Sequence, residues 1–131
     1  MTNVLRNDNI DLVVSGWIKP RRDLDLDAIE RALHPDAVWQ SLQPGVACTG
    51  RTEVIDHVRS SDGWHINLTG IELQSAGDLV MLGLHSADLT SMAGVRIDGQ
   101  VYVVFTIADG VIVRIHECRT REEALVLLGP G

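Results

Sequence analysis

Residues 100–118 read QVYVVFTIADGVIVRIHEC, and this stretch decides the fold. β-Branched and aromatic residues dominate both sides of Asp109-Gly110, in two runs of the length and pattern expected for β-strands. An Asp-Gly pair between two such runs is typical of the tight turn of a β-hairpin. The sequence therefore predicts antiparallel strands over 100–107 and 111–118, joined at this turn.

Two more β-rich segments precede this hairpin, over 66–75 and 79–90. Together the four segments predict an antiparallel meander in the second half of the chain. Within the first segment, the apolar side chains change face at Gly70. One extra residue in a strand forms a bulge that bends it, so we expect the sheet to curl.

Helices are predicted for most of the first half. Apolar side chains recur at helical spacing over 9–19, and Pro20 is expected to end that helix. A second helix is predicted over 26–33 and a third after Gly50. Between these two helices, residues 37–42 alternate in the manner of a strand.

One further helix closes the chain, because Thr120 and Glu123 form a capping box and Gly129-Pro130 stops the helix. Helices in the first half and hairpins in the second predict an α+β fold. We expect a curved antiparallel sheet with helices packed on its concave face, forming a cone with an apolar pocket. A chain of 131 residues suits a single domain, spanning 1–131.

Composition and charge exclude several classes of partner. The net charge is −7, and no cationic cluster occurs beyond Arg21-Arg22, which argues against nucleic acid and anionic membranes. No apolar stretch approaches the roughly 18 residues of a membrane span, and the first residues lack a signal peptide. Cys48 and Cys118 have no CxxC spacing and are expected to be reduced thiols. We therefore expect a cytoplasmic protein without a metal or another cofactor.

Strand parity indicates which side chains face the predicted pocket. On each strand one face is uniformly apolar, and that face is expected to be concave. Its walls are predicted to be Val80, Leu82, Leu84, Val101, Val103, Val113 and Ile115. The helix that carries Trp17 is expected to cover them as a roof.

Two carboxyl groups fall at the ends of these apolar stripes, namely Asp88 and Glu117. In a cavity of low dielectric, two carboxylates repel each other and lose hydration, so at least one pKa should rise. A carboxyl group tuned towards neutral pH can take or give a proton. Parity alone leaves a second interpretation open, in which both groups lie at strand ends in solvent.

Four motifs carry a resemblance to a known family. They are LHPDAVW over 33–39, GRTEVI over 50–55, DGVIVRIHECR over 109–119 and REEAL over 121–125. In this order and spacing, over about residues 9–128, the chain resembles the SnoaL-like branch of the nuclear transport factor 2-like superfamily. The resemblance implies a cone-shaped fold and a homodimer formed through the sheet. Members include ketosteroid isomerases, polyketide cyclases, dehydratases, epoxide hydrolases and catalytically silent proteins, so the fold does not define the function.

The resemblance extends to the epoxide hydrolases of this superfamily, through a gapless match over residues 80–120. Their pattern aligns Asp88 and Glu117 with that group's catalytic carboxylates. However, the arginine that precedes the first aspartate by two residues is Ser86 here. The tyrosine and asparagine of the first strand are replaced by Trp39 and Ser41. Without these groups, epoxide hydrolysis is not expected.

The sequence thus predicts a pocket for a hydrophobic small molecule, with Asp88 and Glu117 as catalytic residues of an isomerase, cyclase or dehydratase. Trp64-His65 follows a Ser-Ser-Asp-Gly loop and is expected to form a lid or mouth. The alternative is a non-catalytic ligand-binding or accessory protein, and a third hypothesis is a protein–protein adaptor. Residues predicted to bind the substrate are Trp17, Trp39, Ser41, Trp64, His65, Ser86, Val101, Val103 and Ile115.

Overall fold

Six strands form one curved, open sheet in the computed structural model, which describes residues 8–43, 45–60, 69–92 and 95–129. Two further short strands pair with each other, antiparallel, outside this sheet. The strands are β1 (Leu33–Gln40), β2 (Ala47–Thr49), β3 (Gly70–Ala76), β4 (Leu79–His85), β5 (Ser91–Met92), β6 (Val95–Arg96), β7 (Gln100–Ala108) and β8 (Val111–Cys118).

Helices account for most of the remaining described residues. The first helix consists of α1 (Asp8–Val13), a π-helical segment (Val14–Ile18) and α2 (Lys19–Asp23), which follow one another without a break. The others are α3 (Leu26–Ala32), α4 (Arg51–Ser60) and α5 (Arg121–Leu128).

The hairpin predicted at Asp109-Gly110 is confirmed. Asp109 has φ 52° and Gly110 has φ 79°, so both central residues occupy the left-handed region that a type I′ turn requires. Across the turn, Ala108 pairs with Val111. The turn therefore fixes the register of β7 against β8.

The strand order is β2-β1-β8-β7-β4-β3. All adjacent pairs are antiparallel except one, because β1 runs parallel to β8. The sheet is therefore mixed, whereas a wholly antiparallel sheet was predicted. The α+β class, the curved sheet and the helices on its concave face are confirmed.

The bulge predicted at Gly70 stays a prediction, because residues 61–68 lie outside the described residues. A register shift does occur between β7 and β8. Thr106 pairs with Arg114 and Ile107 with Ile112, so Val113 is the extra residue of a bulge. After the bulge the side chains change face, and Ile112 is fully buried while Val113 is only half-buried. The predicted place of Val113 in the concave wall is therefore wrong, and Ile112 occupies it.

Each face of the sheet has its own apolar core. The concave core joins side chains of the first helix, α3 and α4 to the sheet; its members include Val13, Trp17, Ile29, Val54, Val80, Leu82, Phe105, Ile112 and Ile115. The other face is covered by α5, whose Ala124 and Leu128 pack against Met81, Tyr102, Val104 and Cys118. The last helix thus lies on the opposite face from the other helices.

Gly83 on β4 provides a test of the packing on the face that α5 covers. A Cβ at this position would lie 2.5 Å from Cε2 of Tyr102, the residue paired with it on β7. The Gly83→Ala substitution should therefore displace the buried ring and lower the free energy of unfolding by about 1–3 kcal/mol in urea denaturation.

Gly70→Ala is the matched control, since its Cβ would meet nothing closer than 3.7 Å. Its effect should stay within about 0.5 kcal/mol. Equal stability of the two variants would contradict the packing of Tyr102 across Gly83.

Candidate functional site

Pro20 was expected to end the first helix, but the helix continues to Asp23. A proline has no N–H to donate and would break a regular helix. Here the residues before it widen into a π-turn, in which the Lys19 N–H donates to the Val14 carbonyl. Pro20 then stands in the first turn of α2, where its missing N–H is not needed. This arrangement carries Arg21 into the concave core.

Aromatic rings occupy the centre of the concave core. The Trp17 ring lies 5.3 Å from that of Trp39 and 5.7 Å from that of Phe105, centroid to centroid, in edge-to-face geometry. Trp39 also meets the His57 ring of α4 edge-to-face at 4.5 Å. Two of the three predicted tryptophans, Trp17 and Trp39, therefore lie side by side. His57, an exposed residue of α4, lies between Trp39 and the surface.

Arg21 places a cation beside these rings. Its Cζ lies 5.2 Å from the centroid of the Trp17 ring and 5.8 Å from that of Trp39, within the range of cation–π attraction. Only 7% of the residue is exposed. Burial lowers the pKa of Arg21 to about 10, against the opposing attraction of Glu117. The guanidinium therefore remains charged at neutral pH.

Glu117 is the buried acid of the site, with 6% of its surface exposed. It pairs across the strands with Val103, and its Oε1 accepts a hydrogen bond of 3.3 Å from the Leu42 N–H. Burial raises the pKa of Glu117, although the Leu42 N–H, the Trp39 side chain and the Arg21 charge all oppose the rise. Desolvation is thus stronger here than the attraction of the nearby cation.

The indole N–H of Trp39 lies near enough to Glu117 to favour its ionised form, yet it completes no hydrogen bond among the described residues. Trp39 is buried, so this donor is also shielded from water. An unsatisfied buried donor costs free energy and is uncommon in native proteins.

His57 responds to the same surroundings. Much of His57 is exposed, but partial desolvation of its ring against Trp39 lowers the pKa of His57, and the Arg21 charge lowers it further. The imidazole is therefore neutral at physiological pH and can accept or donate a hydrogen bond at the edge of the aromatic cluster.

A cleft of about 360 Å³ reaches Glu117 from the end of the sheet. Ser41 lies in its wall, and the Ser41 Oγ accepts a hydrogen bond from the Gln43 N–H. The residues lining the cleft are Gln40, Ser41, Leu42, Gly45, His116, Glu117, Arg119 and Glu123. Its volume lies within the range of small-molecule sites.

Asp88 does not lie beside Glu117. The strand predicted over 79–90 ends at His85, and Asp88 lies in an exposed turn after it. Ser86 is buried, and its Oγ accepts a hydrogen bond from the Asp88 N–H at 3.1 Å, which fixes that turn. The structure therefore does not bring the two predicted catalytic carboxyl groups into one buried site, and a catalytic role of Asp88 stays a prediction.

The apolar residues predicted to bind the substrate lie on the concave face, as the alternation of side chains along the strands predicted. Val101, Val103 and Ile115 are buried in the concave core together with Trp17 and Trp39. Trp64 and His65 lie outside the described residues, so their predicted place at a mouth stays a prediction.

Arg21 and His57 were not recognised from the sequence as site residues. Arg21 looked like part of a short surface pair with Arg22, because the helix was expected to stop before it. His57 had no motif around it, and only the packing of α4 against β1 reveals its contact with Trp39.

In the described part of the chain, no three His, Cys, Asp or Glu side chains cluster as metal ligands would. Cys48 and Cys118 are free thiols, and burial raises the pKa of Cys48 and raises that of Cys118 to about 11. Both are therefore protonated at neutral pH.

No helix among the described residues is long and apolar enough to cross a membrane.

The raised pKa of Glu117 predicts a pH-dependent stability. Such a group binds its proton more tightly in the folded state, so its stabilising contribution is complete below its ordinary pKa of 4.5 and is lost as the pH rises through the raised value. Glu117→Gln should therefore be more stable than the wild type at pH 7, by about 1.4 kcal/mol for each pKa unit, and lose this advantage near pH 4.

Urea denaturation between pH 4 and pH 8 measures this difference. Glu122→Gln, an exposed carboxyl on α5, is the control and should show no such crossover. The free energy of unfolding of Glu117→Gln is compared with that of the wild type at each pH. If this difference were less favourable to the variant at pH 7 than at pH 4, the raised pKa of the buried Glu117 carboxyl would be contradicted.

Solved structures share this fold at low sequence identity. A protein from Xanthomonas campestris, provisionally named a polyketide cyclase, superposes with a TM-score of 0.66 at 21% identity, over 95% of this chain and 98% of its own. A provisionally named ketosteroid isomerase from Kribbella flavida gives 0.66 at 15% identity, over 84% and 76%. TerC, co-crystallised with polyporic acid, gives 0.63 at 19% identity, over 93% and 98%.

No functionally curated protein matches the chain. The family model of the SnoaL-like domain, however, matches residues 17–115, from Trp17 in the first helix to Ile115 on β8, two residues before Glu117. The match covers most of the sheet and all helices except α5 and the start of the first helix. The chain therefore belongs to the SnoaL-like domain family.

Proposed function

We propose that the protein binds a hydrophobic small molecule and catalyses a proton transfer on it, in the manner of an isomerase, cyclase or dehydratase. The observation that carries this proposal is the buried carboxyl of Glu117 beside a buried cation. A carboxyl with a raised pKa is suited to exchanging a proton with a carbon acid or an oxygen near neutral pH.

The surroundings of Glu117 supply the other requirements of such a reaction. Trp17 and Trp39 offer large apolar ring surfaces for binding, and Val101, Val103 and Ile115 extend that surface along the sheet. Arg21 supplies positive charge where negative charge would develop on a substrate oxygen. Ser41 stands at the cleft that reaches Glu117 and would contact a polar part of the ligand.

A second candidate is ligand binding without catalysis. The observation that favours it is the position of the single tyrosine, Tyr102, whose hydroxyl lies 3.3 Å from Nε2 of His85 on the face that α5 covers. No tyrosine is therefore available to donate a hydrogen bond to a substrate beside Glu117. The second predicted catalytic carboxyl group, Asp88, lies in an exposed turn. In this case the tryptophans and Arg21 would serve binding alone.

Exchange of α-protons distinguishes the two candidates. The probe is 2-tetralone, a bicyclic ketone with one aromatic ring, whose α-hydrogens exchange with D₂O through an enol. Wild-type protein should accelerate the exchange over buffer, as followed by proton NMR. The rate should rise with pH through the raised pKa of Glu117 and then level off, because a general base must be ionised.

Glu117→Gln should reduce this rate by about 10²–10⁴-fold. Glu122→Gln, with an exposed carboxyl on α5, should exchange at the wild-type rate. Asp88→Asn is measured alongside them, and a wild-type rate would remove Asp88 from the reaction. Exchange that is no faster than in buffer, or equal in wild type and Glu117→Gln, would overturn catalysis and leave the binding candidate.

We also propose that the protein acts as a homodimer in the cytoplasm. Val126 and Leu127 on the outer side of α5 are exposed, with 79% and 39% of their surface in solvent, which leaves apolar area available to a second copy. Size-exclusion chromatography with light scattering should give about twice the chain mass of 14.3 kDa. A mass of one chain at all concentrations would contradict the dimer.

A further inference from the structure

Arg119 lies where two cavities meet at the rim of the sheet. It follows β8 directly, two residues after Glu117, and it lines the cleft of about 360 Å³ that reaches that carboxyl group. It also lines a smaller hollow of about 80 Å³, together with Arg96, Ile97, Asp98, Gln100 and Thr120. The two cavities therefore adjoin at one arginine.

The Arg119 side chain has no acidic partner among the described residues. It is exposed and takes part in none of their ion pairs. Arg121, two residues further on, is instead held by Glu72, whose Oε2 accepts a hydrogen bond of 2.8 Å from Nη2. The chain has 18 acidic and 11 basic side chains, so carboxylates are not in short supply. The Arg119 guanidinium thus remains available to an acidic group of a ligand.

Arg96 brings a second cation to the smaller hollow. It lies on β6, and two backbone hydrogen bonds fix the turn that follows it. The Ile97 N–H donates to the Thr90 carbonyl at 3.0 Å, and the Gly99 N–H donates to the Leu89 carbonyl at 2.9 Å. The buried Ile97 side chain also anchors this turn in the concave core. The hollow therefore has a preformed backbone wall.

Formal charge differs between the two cavities. The hollow contains Arg96, Arg119 and a single carboxylate, Asp98, which together leave one positive charge. The cleft contains two carboxyl groups, Glu117 and Glu123, beside the same Arg119. A ligand with one anionic group is therefore attracted to the hollow and repelled from the acidic end of the cleft, and this difference orients it.

The charge and size of the hollow indicate a carboxylate. A guanidinium presents its N–H groups in a planar fork that matches the two oxygens of a carboxylate. One net positive charge suits a singly charged carboxylate, whereas a phosphate monoester carries nearly two negative charges at neutral pH. The hollow is small, so it admits the acidic group, and only the cleft has room for the apolar body of a ligand.

From this arrangement we infer that Arg119 and Arg96 bind a carboxylate of the substrate and thereby determine which end of it reaches Glu117. The inference rests on the proposed proton transfer and names its substrate class. That class is an apolar compound with a carboxylate at a distance from the carbon that exchanges its proton. The two arginines determine specificity and take no part in the proton transfer itself.

Two matched probes test the inference, namely the 6-carboxylate and the 6-carboxamide of 2-tetralone. They share one ring system, but only the first is an anion at pH 7. Wild-type protein should bind the carboxylate at least about tenfold more tightly in calorimetry, because hydrogen bonds between charged groups are the stronger ones. The preference should shrink as salt is added, since exposed charges are screened.

Arginine variants locate the anion. Arg119→Gln should abolish the preference, and Arg96→Gln should reduce it about threefold, because each removes one charged donor group. Arg31→Gln is the matched control, since it removes one positive charge from an exposed position on α3 that lines neither cavity, and it should retain the preference. Should Arg119→Gln fail to fold by circular dichroism, Arg119→Lys keeps the charge without the planar fork and should lower the preference about threefold.

Equal affinity of the wild type for both probes, or a preference that survives Arg119→Gln, would overturn the inference. A preference unchanged in Arg96→Gln would overturn the shared hollow. Loss of the preference in Arg31→Gln would also contradict the site, since net charge rather than the hollow would then attract the anion.

Exchange of α-protons in 2-tetralone itself keeps the two proposals apart. Exchange without a preference for the carboxylate would overturn this inference and leave the proposed proton transfer standing. A preference for the carboxylate without exchange of any of the three ketones would overturn the proton transfer and retain the anion site for the binding candidate. Absence of both would overturn both.

Discussion

The structure depends on one constraint, which is that the Arg21 guanidinium cannot lose its charge where it lies. A buried lysine or carboxyl can become neutral, but an arginine must be stabilised as a cation. Two indole faces and one carboxyl provide this stabilisation, and they come from the first helix, β1 and β8. The elements that enclose the concave core are therefore tied together at one charged group, rather than by apolar contact alone.

The position of that group follows from Pro20. The π-turn before the proline lets the helix restart and continue for one more turn, so Arg21 points into the core instead of into a loop. Gly16 within the π-turn lets the helix approach α3 closely, since a Cβ there would lie 2.7 Å from Cβ of Ala32. A backbone irregularity of this kind is common at functional sites, and here it places Trp17 and Arg21 on the same side.

The parts of the fold that follow from local rules could be predicted from the sequence. The Asp109-Gly110 turn and the alternation of β7 and β8 gave the hairpin, and strand parity placed Glu117 among apolar residues. Parity failed at Val113, because a bulge depends on hydrogen bonding to the partner strand, which the sequence of one strand does not reveal. The alternation along β4 also failed to place Asp88, because the strand stops at His85. Directly after it, the Ser86 N–H donates a hydrogen bond to the Gly99 carbonyl.

Arg21 and Glu117 also indicate why this core is a candidate site and not only a packing solution. Burial lowers the pKa of Arg21 and raises that of Glu117, so both charged forms are less favourable in the folded protein than in water. A buried ion pair often adds no stability compared with apolar side chains of similar volume. A core that served stability alone would therefore be better filled by apolar residues. The buried cation and carboxyl lie with two tryptophans and with an indole N–H that completes no hydrogen bond among the described residues, and this composition supports the proposal that the core recognises a polar group on an otherwise apolar ligand.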